Sequence, residues 1–444
     1  MSDTDTIAKV SAAEEAALEL AQTDAQTRSD ALRAVADAIV DRSEEILAAN
    51  EKDIAEAEEL LADGEYSQAL VDRLKLDETK LQSIAEMVRS VADQEDPLGE
   101  TLTARELDED LELYKVAAPI GVIGSVFESR PDALVQIAAL SLKSGNAVIL
   151  KGGSEALHSN RVLYSIVEEV TADVAEGWVK LIEAHEAVDT VLEMDDAIDL
   201  LMPRGSTEFV RYIQENTKIP VLGHTEGVCH VYVDEAADLE MATEVALDAK
   251  VQYPAVCNAV ETLLVHEAVA ESFLPEMVAA YVDAGVEVRG DERTRAIVDQ
   301  AVSPATDEDW ETEYGDLVIS IKVVDSLDAG VDHVNTFGSK HTESVITEDE
   351  DKAAAFMQRV DASSVFHNAS TRFADGFRYG LGAEVGISTG KIHARGPVGL
   401  KGLTTTKYYL EGDGQRVASY VGEDAIPFTH EEFDGEWTPG TRTR

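Results

Sequence analysis

Two cysteines occur among the 444 residues, and their surroundings differ. Cys257 lies in Val251-Gln252-Tyr253-Pro254-Ala255-Val256-Cys257-Asn258-Ala259-Val260-Glu261. A run with helical spacing (Met241 to Lys250) precedes it, and a short apolar strand (Thr262 to Val265) follows. A thiol at such a break can face a cleft, and no carboxylate stands between Ala249 and Val260 to raise its pKa. These features suit a nucleophile that forms a thioester. The competing reading is a small buried hydrophobe, the commonest state of a lone cysteine. Cys229 fits that second reading, because it sits beside His230 in the apolar run Cys229 to Val233. Asn258 places an amide next to the Cys257 thiol. His224, His230 and His393 are acid–base candidates, but sequence distance pairs none of them with a cysteine.

Two turns could hold phosphate. Lys151-Gly152-Gly153-Ser154-Glu155 follows the strand Ala147 to Leu150, and Ser154 is placed to cap a helix running to about Val170. Pro203-Arg204-Gly205-Ser206-Thr207 repeats the arrangement after Ile198 to Met202. Helix-opening N–H groups attract anions, and glycine lets them approach the backbone. Neither turn is a GxGxxG or Walker motif, so an ordinary strand-to-helix turn also explains each. No CxxC or His/Cys ligand spacing is present, and no metal site is expected.

The elements that must position these groups follow from pattern. Asp3 to Ala92 reads as helices, with Ala31-Leu32-Val35-Ile39 at helical spacing and Ser11…Glu14 as a capping box. Leu111 to Val116 alternates as a strand, and Ala118 to Phe127 reads as one buried strand ended by Glu128-Ser129-Arg130-Pro131. A helix (Ala133 to Leu142) and the strand at Ala147 follow. Strand, helix, strand, helix in succession indicate a doubly wound parallel sheet. Thr262 opens a second α/β unit reaching about Gly380. The acidic insertion Asp307 to Asp316 reads as surface, and Glu423 to Arg444 as a loosely ordered tail.

Charge narrows the function. Asp and Glu number 88 against 36 Lys and Arg, for a net charge of -52. Phosphate polymers and anionic membranes require a basic footprint, so neither nucleic acid nor membrane is an expected partner. The acid excess reads as a hydrated shell for high salt, where a short Debye length screens self-repulsion; a cationic partner is the alternative. Two acid-free windows stand out, Ala133 to Ser154 and Val385 to Leu410. The second carries Lys391, His393, Arg395, Lys401 and Lys407. Burial alone removes carboxylates from apolar segments, yet it does not place five bases in one window; a cleft for an anionic ligand does. No apolar run approaches the roughly 20 residues of a bilayer span. Met1 to Ala21 lacks a signal-peptide core, and a cytoplasmic location is expected.

The chain resembles the gamma-glutamyl phosphate reductase family, a branch of the aldehyde dehydrogenase superfamily. The resemblance rests on Pro119 to Gly124, Glu128 to Pro131, Leu142 to Ala156, Pro203 to Gly205 and Cys229 to Asp234. It continues through Val256 to Ala259, Val360 to Ser364, Asn368 to Phe373, Gly382 to Thr389, Lys391 to Pro397 and Gly412 to Gln415. It implies reduction of L-glutamyl 5-phosphate by NADPH to glutamate 5-semialdehyde and phosphate, in proline biosynthesis from glutamate. Cys257 would be acylated, and hydride would relieve the thioester. Its backbone N–H and Asn258 would stabilise the oxyanion. By the same analogy Ser129, Arg130, Lys391, His393 and Arg395 would meet the substrate's charges. Lys151, Gly152, Ser154, Glu155, Gly205 and Ser206 would meet the cofactor. The Glu-Leu-Gly-Gly motif of ordinary aldehyde dehydrogenases, whose glutamate activates water, is missing near Gly223 to Gly227, as suits a reductase that releases phosphate. Their Pro-Trp-Asn motif is replaced by Glu128-Ser129-Arg130-Pro131.

The implied architecture is aldehyde dehydrogenase-like α/β, with two doubly wound parallel-sheet domains and a small strand-based oligomerisation element. A cofactor domain would span 1–223, with an oligomerisation strand at 108–117. A catalytic domain would span 224–380, and 381–444 would return to the cofactor domain with further strands and the acidic tail. A dimer or tetramer is expected, and coupling to glutamate 5-kinase is possible in principle because the acyl phosphate is unstable.

Overall fold

The computed structural model describes residues 3–128, 130–183, 187–298 and 302–439. Helices Asp3–Leu20, Ala25–Asp41, Ser43–Ala62, Gln68–Leu74 and Glu78–Asp93 come first. Leu32, Val35 and Ile39 are buried, as their spacing predicts, and Ala31 is half-buried. Ser11 opens no helix: it lies inside Asp3–Leu20, so the capping-box reading was a chance match.

These helices pack on a parallel four-stranded sheet whose spatial order is Val179–Leu181, Ala147–Gly152, Val122–Phe127, Leu200–Arg204. Every residue of Val122–Phe127 and Ala147–Gly152 is buried. A parallel sheet covered on both faces selects such unbroken apolar runs. The chain grows outward on one side of Val122–Phe127, then returns to its other side with Leu200–Arg204. That reversal makes a crevice at the strands' carboxyl ends, beside Glu128 and Gly205.

The expected single strand from Ala118 to Phe127 is two. Leu111–Pro119 ends in an antiparallel sheet, and Val122 starts the parallel one. Gly121 makes the transition at φ 134°, where a Cβ would lie 2.2 Å from Asp199 Oδ2. The freed Val122 N–H donates to that same carboxylate at 2.8 Å.

A seven-stranded parallel sheet forms the second layer, in the order Ser303–Pro304, Glu287–Gly290, Val318–Val324, Val260–His266, Cys229–Val233, Thr342–Ile346, Ser364–His367. Helix Leu239–Val251 and central strand Val260–His266 bracket the Cys257 turn. Ala383, Val385, Val398, Leu400 and Leu403 then return to the core under the four-stranded sheet.

The third sheet is antiparallel: Thr404–Glu411, Leu111–Pro119, Thr101–Asp108, Glu431–Glu432. The acidic tail is therefore tied down through 431–437, contrary to expectation, while 440–444 lie outside the described residues. Glu431 pairs with Glu106, and Trp437 stacks on Tyr409 with ring centroids 3.7 Å apart. The acidic insertion also does more than coat the surface. Asp309 and Trp310 are buried, and Asp309 accepts from Arg289 at 2.6 Å and from Tyr314 at 2.7 Å. Paired this way, an acid can be buried where composition suggested a solvated loop. Among the described residues, no helix is long and apolar enough to cross a membrane.

Candidate active site

Cys257 occupies a turn that lines a cleft of about 950 Å³ between the two parallel sheets. The turn is held from three sides. A Cβ on Gly227 would lie 2.1 Å from the Cys257 carbonyl oxygen, so only glycine permits this approach. Cys229 donates its S–H to the same oxygen at 3.2 Å. Asn258 is buried, and its side-chain N–H donates to Ala374 O at 2.8 Å. The two cysteines thus divide the work: Cys229 braces the turn, and burial pushes its thiol well above the ordinary range. Cys257 is partly exposed to the cleft.

Positive charge in the cleft comes from Arg73, Arg130, Arg204, Arg372 and Arg378. Burial, then the neighbouring Arg130, push the Arg204 guanidinium down, while Glu384 opposes. Burial and Arg378 do the same to Arg372. A negative charge at Cys257 would stabilise both guanidiniums. Their hydrogen-bond partners include neutral amides: Arg204 donates to Gln136 Oε1 at 3.2 Å and Arg372 to Gln252 Oε1 at 2.9 Å. Arg378 pairs with Asp375 at 3.1 Å, whereas neither Arg204 nor Arg372 has an ion-pair partner among the described residues. These two guanidiniums, each beside a like charge, stand near one thiol, an arrangement relieved by an anion. Carboxylates are present as well. Asp375 and Glu384 line the cleft, and Glu313 reaches it from the acidic insertion to accept from Gly227 N–H at 2.8 Å.

Of the residues singled out for substrate charge, Arg130 lines this cleft, and Ser129 lies outside the described residues. Lys391, His393 and Arg395 are not among the described residues that line it. Lys391 and Arg395 pair with Asp361 at 2.7 and 3.0 Å, and His393 is exposed, donating to Gly402 O at 2.8 Å. Lys401 pairs with Glu100 at 2.8 Å. Three bases of the acid-free window are therefore paired with acids distant in sequence.

His230 is fully buried against Glu343, Nδ1 to Oε2 2.9 Å. His224 does approach Cys257. Sγ and one ring nitrogen each of His224 and His341 lie within 4.8 Å of one another. Sequence reading passed over His341, which is 112 residues from Cys229, whose sulfur it meets at 3.7 Å.

The crevice of the four-stranded sheet opens into the same cleft. Gly205, Ser206 and Thr207 line it together with Cys257. Ser206 N–H already donates to a carboxylate, Glu128 Oε2, at 3.0 Å, so this turn accepts an anionic oxygen. A Cβ on Gly205 would meet that oxygen at 2.4 Å. Lys151, Gly152, Ser154 and Glu155 stand at the end of the neighbouring strand. Lys151 donates to Gly152 O at 2.7 Å, and burial pushes its ammonium down. Ser154 does not cap the helix. A short 3₁₀ turn, Ser154–Ala156, precedes Leu157–Val170, and Asp53 accepts the N–H groups of His158 and Ser159 at 2.9 and 2.8 Å. That carboxylate arrives from helix Ser43–Ala62, so local sequence could not reveal it.

Residues 1–309 match the aldehyde dehydrogenase family. The gamma-glutamyl phosphate reductase of Natronomonas pharaonis is 71% identical over 434 residues, covering 98% of this chain and 99% of that protein. The enzyme of the same name from Haloquadratum walsbyi is 68% identical, covering 97% and 95%. This chain belongs to the gamma-glutamyl phosphate reductase branch of the aldehyde dehydrogenase family. The crystal structure of the Thermotoga maritima gamma-glutamyl phosphate reductase superposes with a TM-score of 0.89 at 39% identity, covering 93% of this chain and 99% of that one. The fold is accordingly aldehyde dehydrogenase-like, and the missing water-activating motif near Gly223 to Gly227 is in keeping with this branch.

Proposed function

We propose that this chain reduces L-glutamyl 5-phosphate to glutamate 5-semialdehyde and phosphate, in proline biosynthesis, through a thioester on Cys257. The observation that carries this reading is the convergence of two arginine pairs on a partly exposed cysteine. An acyl phosphate with an amino-acid head brings a phosphate, a carboxylate and an ammonium. Arg130, Arg204, Arg372 and Arg378 suit the first two, and Asp375 or Glu384 the third. Cys257 attacks the acyl carbon, and phosphate is a good leaving group. The Cys257 backbone N–H and the Asn258 amide are the proposed oxyanion donors.

The cofactor assigned to this site is NADPH, which supplies the hydride that relieves the thioester. The continuous cleft from the Ser206 turn to Cys257 supports its fit, as does the carboxylate-accepting Ser206 N–H. Gly205 and Ser206 would hold it, with Lys151, Gly152, Ser154 and Glu155 at the adjoining strand end. The preference for NADPH over NADH rests on the family resemblance, since Glu155 stands close to the proposed 2′-phosphate position. A cytoplasmic homo-oligomer, a dimer or tetramer joined along the Thr404–Glu411 edge, completes the reading. Tyr408 and Leu410 on that edge are 60% and 58% exposed. Functional coupling to glutamate 5-kinase would shorten the free life of the acyl phosphate. The acidic shell suits high salt.

The reverse reaction tests this reading. Glutamate semialdehyde and NADP should yield NADPH only when inorganic phosphate is added, and Cys257→Ser should yield none. Phosphate-independent oxidation would point to a water-using dehydrogenase. An inactive wild type, in both low and high salt, would point to a nucleotide-binding scaffold.

A further inference from the structure

The mechanism above leaves the thiol proton without an acceptor. It also leaves two histidines beside the sulfur without a role. His224 Nδ1 lies 2.8 Å from the carbonyl oxygen of Ile387. A carbonyl cannot donate, so Nδ1 carries the proton and Nε2 carries the lone pair. His341 meets the same ring edge-on, with centroids 4.9 Å apart and planes at 68°. It is fully buried, and its Nε2 has no hydrogen-bond partner among the described residues. One nitrogen of each ring and Cys257 Sγ share a space within 4.8 Å.

We propose that His224 Nε2 is the proton acceptor for the Cys257 thiol, with the Ile387 carbonyl and the His341 ring positioning it. The constellation is that of an activated nucleophile: a thiol, a base within reach, and a third group that fixes the base's tautomer. Apo geometry of such pairs is commonly looser than the working one. Burial pushes the His224 imidazolium down, so the ring is neutral and able to accept. The groups facing it are Glu313, Arg204 and Glu384. Arg204 and Arg372 lie near the thiol and favour its negative charge. The step balances. The S–H bond breaks as an N–H bond forms on His224, sulfur bonds to the acyl carbon, the C–O bond to phosphate breaks, and the leaving phosphate takes the proton from His224. The inference rests on Cys257 as the nucleophile, but not on which acyl group it receives.

Alkylation of Cys257 by iodoacetamide, followed by peptide mass spectrometry from acid to alkaline pH, requires neither substrate nor cofactor. The wild type should show a pH-independent arm below the thiol's own titration, due to the thiolate–imidazolium form. His224→Asn keeps an N–H for Ile387 but has no basic nitrogen. It should lose that arm and react roughly tenfold more slowly at neutral pH, the equivalent of about one pKa unit. His341→Phe keeps a packed ring and should retain most of the arm. Superimposable profiles for wild type and His224→Asn would overturn the proposal, and loss of the arm in His341→Phe alone would transfer the base to His341. A protein inactive towards glutamate semialdehyde that still shows the arm would overturn the substrate reading and leave this one standing.

Discussion

Two basic regions of this molecule look alike in sequence and differ in space. The window from Val385 to Leu410 concentrates five bases without an acid, yet Asp361 and Glu100 pair with three of them. The cleft draws Arg130, Arg204, Arg372 and Arg378 from three separated segments; Arg378 pairs with Asp375, but Arg204 and Arg372 stand near a thiol with like-charged neighbours and no ion-pair partner among the described residues. Local charge density is thus a poor guide to a binding site. What matters is whether folding brings a counter-charge, because a paired surface base is close to neutral in effect, while crowded, partly desolvated guanidiniums attract an anion.

The comparison breaks most sharply by mutation. Arg204→Ala and Arg372→Ala should each lower kcat/KM for the acyl phosphate by roughly a hundredfold, the scale of truncating one partner of a desolvated charge pair. Should steady-state kinetics leave these variants near wild type while Lys391→Ala collapses, the two regions have been assigned the wrong way round. Gly227→Ala comes next. Its methyl group would displace the Cys257 carbonyl and destabilise the fold by about 1–3 kcal/mol, with activity falling at least as steeply. Gly390→Ala in the basic window should be tolerated, since its Cβ would meet only Ser388 Oγ at 3.5 Å. Thermal melts and assays on both variants separate the rigid site from the tolerant loop.

A smaller effect is expected from Asp361→Asn. The Lys391 hydrogen bond, opposed by burial and helped by Arg395, lowers the Asp361 carboxyl to about 2. Because the folded value lies below the ordinary one of about 4, the stabilisation is present above that pH and is lost as pH falls from about 4 to about 2. Melting temperatures measured across that window should fall less steeply in Asp361→Asn than in the wild type. The smallest effect belongs to Lys391→Ala and Arg395→Ala, whose KM should stay within about twofold of wild type. A larger rise would return the basic window to the substrate.

Much of this was legible in one dimension because it depends on neighbours in sequence. Apolar runs between helical stretches gave the parallel sheets, and the helix–turn–strand context of Cys257 singled out the thiol that lines the cleft. His224 was visible as a candidate but could not be chosen over His230 or His393. Folding separated them: Glu343 engages His230, Gly402 takes His393, and His224, bonded to the Ile387 carbonyl, lies beside Cys257. Arg372 lies in a stretch that resembled the family and Arg378 just beyond it, yet nothing local marked either as lining a cleft with a thiol.

Sequence by itself determined the α/β class, the acidic shell, the thiol-bearing turn and the turns at the strand ends, all set by periodicity, composition or adjacent residues. Tertiary structure decided which charges cancel, which helix end is capped, and which imidazole meets sulfur. Those outcomes require partners such as Asp53, Asp361 and His341, far away along the chain. Coulomb and hydrogen-bond energies depend on separation in space, and only packing fixes that distance.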